Sequence, residues 1–215
     1  MGRDAGFLTA ASALARANKD DGPHLIYLPE VPFTEKKFIA DVKAAMKKYG
    51  RCVCAISEGI RGADGVPMGA KFAGGEKDSH GNVQMSGTGA LGDALAKILK
   101  QKADVKRVRA DTFGYLQRSF PGVASKVDQK EAFQAGQAAV KAALAGKLSK
   151  GTIAIVRENG KKYKVAFAPV PIANAAKYTR SVPKEYIAKN GHDVTQAFID
   201  YAKPIVGELP ACEIF

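Results

Sequence analysis

The sequence predicts an α/β fold: a mostly parallel sheet flanked by helices, with a C-terminal hairpin and helices. Three observations carry that reading. Two short apolar, β-prone runs, His24–Leu28 and Arg51–Ser57, bracket a segment of helical periodicity. The stretch between them has room for the crossover helix that parallel strands need. Further on, Asn159-Gly160 separates the β-prone runs Thr152–Arg157 and Tyr163–Phe167, a strong hairpin signal. Alternating strands and helices of this kind lay helices against a parallel sheet.

The elements follow in order. MGRDAGFLTAASALAR opens the chain with a helical pattern, Phe7, Leu8, Ala11, Leu14 and Ala15 sharing one side. It lacks the charged region of a signal peptide. The run HLIYL reads as a buried strand ended by Pro29. Thr34 is the expected N-cap of a helix carrying Phe38, Val42, Ala45 and Tyr49, and Gly50 its expected stop. Residues 59 to 87 are glycine-rich and aperiodic, and read as one long loop, functional or disordered. A helix from Thr88 carries Leu91, Leu95, Ile98 and Leu99. A strand is expected at Val105–Arg109, then a turn-like FGYLQRSFPG. Asp128 and Glu131 read as a capping-box start for a helix with Phe133, Val140 and Leu144 that ends at Gly146. A last helix covers Val194–Tyr201. Two parts are expected, residues 1–118 forming a ligand-binding α/β domain and 119–215 completing the fold with helix, hairpin and C-terminal helix.

Lys and Arg number 33 against 21 Asp and Glu, a formal net charge of +12 over 215 residues. That balance calls for an anionic partner. The charge is dispersed in pairs such as Lys36-Lys37, Lys47-Lys48 and Lys161-Lys162, and the chain has no Trp. A stacking platform for nucleic acid is therefore not expected. No window is apolar enough to span a membrane. Cys52, Cys54 and Cys212 are too few for a disulfide scaffold, which points to a reducing, cytoplasmic setting.

In α/β sheets ligands bind beyond the carboxyl ends of strands. Glu30, Glu58 and the stretch from Arg109 to Arg118 occupy such positions. Glu58 can accept two hydroxyl hydrogen bonds from a polyol, or it is a solvated strand end. Arg109, Tyr115 and Arg118 together suit a phosphate monoester, with bidentate guanidinium forks and a phenolic donor. Read apart, they are two surface charges and a core tyrosine. Arg3 lies at the positive end of a helix, a poor place for a cation unless an anion sits between them. The three histidines do not cluster, and no Walker loop or GxGxxG is present.

In order, MGRDAGFLTAASALAR, LIYLPE, AISEG and VRADTFGYLQRS resemble motifs of the phosphofructokinase family, in particular its pyrophosphate-dependent branch. Tyr115 stands where ATP-using bacterial members usually have His. The resemblance implies a Rossmann-like sugar-phosphate domain in a phosphotransferase of glycolysis. It implies that Met1 and Gly2 contact fructose 6-phosphate. Arg3 would reach the phosphoryl group in transfer, Glu58 the sugar hydroxyls, and Arg109 the 6-phosphate, from a neighbouring subunit of a homo-oligomer. Tyr115 and Arg118 would complete the pocket. The family's GGD phosphate-donor motif and its TIDND segment, which holds the base for the 1-hydroxyl, do not occur. The expectation is a chain that begins inside the longer enzyme, at Met1 of a binding motif, with Mg2+ ligands and the donor lobe elsewhere and activity of its own in doubt. The implied substrates are fructose 6-phosphate, fructose 1,6-bisphosphate and pyrophosphate. ATP as donor, or a non-catalytic sugar-phosphate-binding chain, are the alternatives.

Overall fold

The computed structural model describes residues 4–72, 89–114, 116, 122–147, 150–160, 162–176 and 179–210. The chain divides into two compact units. One is Met1–Phe120 with Ser181–Ile199, the other Pro121–Arg180 with Asp200–Phe215.

The first unit is built around strand β1, Leu25–Tyr27, whose residues are all buried. It pairs in parallel with β2, Cys54–Ile56, in the register Leu25 to Cys54 and Tyr27 to Ile56. The opening helix forms as α1, Phe7–Ala11, passing into a 3-10 turn, Ser12–Ala15. Its inward side differs from the expected stripe: Ala10 and Ala13 are buried, whereas Leu8 is exposed. Small side chains let this short helix lie close to β1.

The crossover helix α2, Glu35–Tyr49, has the expected ends. The Thr34 side chain accepts a hydrogen bond from the Lys37 N–H, and Gly50 closes the helix in the left-handed region, φ 68°. Phe38, Val42 and Ala45 form its buried face. The rings of Tyr27, Phe33 and Phe38 meet pairwise with centroids 5.5 Å apart, within the range where aromatic pairs attract. A short helix α3, Met68–Phe72, forms inside the stretch read as loop. Residues 73–88 lie outside the described residues. Helix α4, Ala90–Lys102, buries Leu95, Ile98 and Leu99 against the same core.

The strand expected at Val105–Arg109 does not form; the segment is irregular. Its apolar residues, Val105 and Val108, are three apart and tuck onto the core, while Lys106, Arg107 and Arg109 are exposed. That spacing has no period of two, so no sheet face could be made.

In the second unit α5, Lys126–Leu144, packs on an antiparallel hairpin of β3, Gly151–Arg157, and β4, Val165–Pro171. A short helix α6, Ile172–Ala176, follows. The cap of α5 is Ser125, whose side chain accepts from the Asp128 N–H. Glu131 is not part of that cap; it is buried inside the helix. Glu131 and Ala142, eleven residues and about three turns apart, form the buried face, and Phe133, Val140 and Leu144 point outward. The hairpin thus meets a small residue and a carboxylate, not the large apolar side chains. Helix α7, Gln196–Val206, begins in the first unit and ends in the second.

The buried carboxylate has a partner. Burial, then the hydrogen bond and charge of Glu131, push the Tyr163 phenol from its ordinary 10.0 up to about 12. The Arg157 guanidinium lies over the Tyr163 and Tyr201 rings at 4.6 and 4.7 Å. A raised phenol favours the native state below pH 10.0, and that contribution is lost as pH rises through about 12. Replacement Glu131→Gln removes the charge and leaves the burial. The Tyr163 step of a phenolate-absorbance titration should therefore fall part of the way back toward 10.0. An unchanged curve would deny the Glu131–Tyr163 pairing.

Candidate functional site

Because β1 and β2 run parallel, the residues after Tyr27 and Ile56 emerge at one end of the sheet. Glu30 leaves β1 there and Glu58 leaves β2. The turn carrying Glu58 is fixed from below. Buried Ser57 donates its N–H to the Tyr27 carbonyl at 3.1 Å, and its hydroxyl accepts from the Gly59 N–H at 3.2 Å. The Ile60 N–H donates to the Ser57 carbonyl at 3.3 Å, and Ile60 is fully buried. Glu58 itself is half-buried at the rim of this turn. The Phe33 N–H donates to the Arg61 carbonyl at 2.8 Å, which ties the two post-strand loops together.

The N-terminal segment is clamped at the same end. Glu30 Oε1 accepts from the Gly6 N–H at 3.0 Å and from the Val182 N–H at 2.8 Å. Glu30 Oε2 is buried and takes no hydrogen bond from the described residues. A Cβ on Gly6 would stand 2.7 Å from Oε2 and 2.9 Å from Leu28 Cδ2, so a larger residue there must displace the Glu30 carboxylate or its neighbours. Asp4 pairs with the Arg61 guanidinium, which also donates to the Gly65 carbonyl at 3.2 Å. Such an exposed ion pair adds little stability, but it fixes where the segment enters α1. Residues 4–6, directly after Arg3, therefore sit beside the loops that follow β1 and β2.

Met1, Gly2, Arg3, Tyr115 and Arg118 lie outside the described residues. Arg109 is exposed in the irregular segment after α4. That segment is held close to the helix: a Cβ on Gly92 of α4 would meet Ala110 Cβ at 3.0 Å. The first unit thus brings Glu30, Glu58 and the α1 entry to one sheet end, while Ala110, next to Arg109, packs against Gly92 near the start of α4.

A second set of polar groups lies along α2. Asp41 Oδ2 accepts from Tyr27 Oη at 2.9 Å and Lys37 Nζ at 2.6 Å, and meets His192 Nδ1 at 2.9 Å. Burial and the neighbouring Asp41 push the Tyr27 phenol far above its ordinary value, so it stays a neutral donor. The Ile26 N–H donates to the His192 carbonyl at 2.8 Å. These contacts hold the returning segment on the free edge of β1, opposite β2. Nothing local in the sequence signals a pairing of residues this far apart. Glu30 was legible from its place after a strand; its role as a double acceptor was not.

A hollow lined by Lys43, Met46, Asp104, Lys106 and Arg107 opens beside the second half of α2, which feeds the start of β2. It lies toward the opposite end of the strands from Glu58. Among the described residues no group of three or more His, Cys, Asp or Glu is placed to hold a metal. No helix among them is long and apolar enough to cross a membrane.

Comparison with known proteins bears on the family and the fold. A pyrophosphate–fructose 6-phosphate 1-phosphotransferase of Rhodospirillum rubrum is 51% identical over 96% of this chain and 51% of its own length. The enzyme of that name from Xanthomonas campestris is 36% identical over 98% of this chain and 49% of its own length. The crystal structure of a pyrophosphate-dependent phosphofructokinase from Marinobacter aquaeolei superposes with a TM-score of 0.77 at 31% identity. That match covers 99% of this chain and 48% of the other. The chain thus spans about half the length of the curated relatives it matches. The phosphofructokinase family model matches residues 1–143, and the chain belongs to the phosphofructokinase family.

Proposed function

We propose that this chain forms the fructose 6-phosphate side of a pyrophosphate-dependent 6-phosphofructokinase. The complete enzyme moves a phosphoryl group from pyrophosphate to the 1-hydroxyl of fructose 6-phosphate, giving fructose 1,6-bisphosphate. The observation that carries the reading is the 51% identity to the Rhodospirillum rubrum enzyme across nearly the whole chain. The gathering of Glu58 and the α1 entry at one sheet end supports it, because the carboxylate suited to sugar hydroxyls and the segment that follows Arg3 then lie on adjoining loops.

In this reading Met1 and Gly2 pack on the sugar phosphate and Glu58 accepts from its hydroxyls. Arg109, Tyr115 and Arg118 grip the 6-phosphate, with Arg109 supplied across a homo-oligomer interface. Arg3 is the catalytic group, placed to meet charge that develops on the transferred phosphoryl group. The base, the donor cradle and the ligands for magnesium belong to the remaining length of the enzyme, which works in the cytoplasm. Magnesium supplies charge neutralisation of the phosphates when bound.

Three measurements test this. Calorimetric titration with fructose 6-phosphate should show Arg109→Ala and Arg118→Ala each weakening binding by about 1.5–3 kcal/mol, the range for charge-assisted hydrogen bonds. Unchanged affinity in both variants would remove the pocket assignment. In the complete enzyme, Arg3→Ala should lower kcat far more than it raises KM; a pure KM effect contradicts the transition-state role. Finally, Gly6→Val cannot keep the Glu30 clamp. It should weaken fructose 6-phosphate binding while far-ultraviolet circular dichroism stays native, since the clamp acts on the entry to α1.

A further inference from the structure

Two thiols sit where β2 begins. Cys52 Sγ and Cys54 Sγ are 3.5 Å apart. Both are free and only partly buried, packed at the margin of the first unit's core. Alternate residues of an extended chain share a face, so the C-x-C spacing itself brings the sulfurs together. Cys54 is fixed inside β2 opposite Leu25, whereas Cys52 precedes the strand. Neither thiol enters the sugar-phosphate chemistry described above.

We propose that Cys52 and Cys54 form a reversible thiol–disulfide exchange site, whose substrates are low-molecular-weight disulfides of the glutathione type. The Cys52 thiolate attacks one sulfur of the small disulfide. That S–S bond breaks, and the departing thiolate takes up a proton. Cys54 then loses its proton to solvent and attacks the Cys52 sulfur of the mixed disulfide, expelling the second small thiol. Two protein thiols are oxidised to one disulfide, and one small disulfide is reduced to two thiols. The atoms and the two electrons balance without another reactant.

The division of labour follows from where the thiols sit: Cys52 precedes the strand, whereas Cys54 is held inside it against Leu25. The hydrogen bond between the two sulfurs holds the Cys52 thiol below its ordinary value. That hydrogen bond, together with burial, holds the Cys54 thiol above its own. Cys52 is therefore the nucleophile, since the thiolate is the reactive form. Once Cys52 is capped, the two sulfurs no longer share a proton, and Cys54 is released to resolve the adduct.

Closure must draw the sulfurs from 3.5 Å to about 2 Å. The intervening residue resists. The Val53 N–H donates to His24 Nδ1 at 2.9 Å, and its carbonyl accepts from the N–H groups of His24 at 2.8 Å and Leu25 at 3.3 Å. Turning the Val53 peptide groups disturbs those bonds, so the bridge is strained and is readily opened again by thiols.

The test uses the full chain carrying Cys212→Ala, incubated with glutathione disulfide and followed by mass spectrometry. The expected product has lost two hydrogens, retains no glutathione, and yields a cross-linked Cys52–Cys54 peptide that excess reduced glutathione restores. Adding Cys54→Ser should trap one glutathione on Cys52, whereas Cys52→Ser should react at least about tenfold more slowly. A stable adduct on the chain with both thiols, equal reactivity of the two serine variants, or no reaction at all would overturn the proposal.

Discussion

The first unit depends on satisfying β1. Leu25, Ile26 and Tyr27 are buried together, and buried peptide groups must find partners. One edge is met by β2 in parallel register. The other is met by the His192 carbonyl, which accepts from Ile26. Three residues of strand thus dictate two separate returns of the chain, one after α2 and one near the C-terminus. The aromatic trio of Tyr27, Phe33 and Phe38 then fills the space between β1 and α2.

Carboxylates turn that core into a scaffold for chemistry. Glu30 receives the N–H groups of Gly6 and Val182, and Asp41 receives Tyr27 and Lys37 while facing His192. Each single side chain joins three parts of the sequence. A charge with several donors can tolerate partial burial, and its multiple bonds fix geometry more tightly than apolar contact does. The α1 entry, the post-strand loops and the returning segment are therefore held in one arrangement at the end of the sheet where Glu58 sits.

Local chemistry made much of this legible. Thr34 and Gly50 marked both ends of α2 because caps act within one turn. The apolar runs on either side gave the parallel pair, and Leu95, Ile98 and Leu99 gave the buried side of α4. The failures were tertiary. Phe133, Val140 and Leu144 look like a core stripe, yet Glu131 and Ala142 face the hairpin, because Tyr163 supplies a partner for the carboxylate. Val105 and Val108 look β-prone, but α4 offers them a surface and no strand offers them a ladder. At the site, the positions of Glu58 and Glu30 followed from strand ends. The Asp4–Arg61 pair and the contacts of Asp41 with His192 did not, since they join residues that only folding brings together.

The first unit is interrupted in sequence: Ser181–Ile199 completes what Met1–Phe120 begins. On the ribosome, β1 emerges long before the residue that satisfies its second edge. At roughly 5–20 residues per second, the interval is on the order of ten seconds. Throughout it Ile26 lacks its His192 acceptor and Glu30 lacks its Val182 donor. The nascent chain must carry an unfinished sheet edge while Pro121–Arg180 of the second unit is made, and unpaired edges of that kind are what chaperones shield. Synonymous changes that slow translation between codons 121 and 180 would prolong that exposure and lower the yield of folded protein without altering a single side chain.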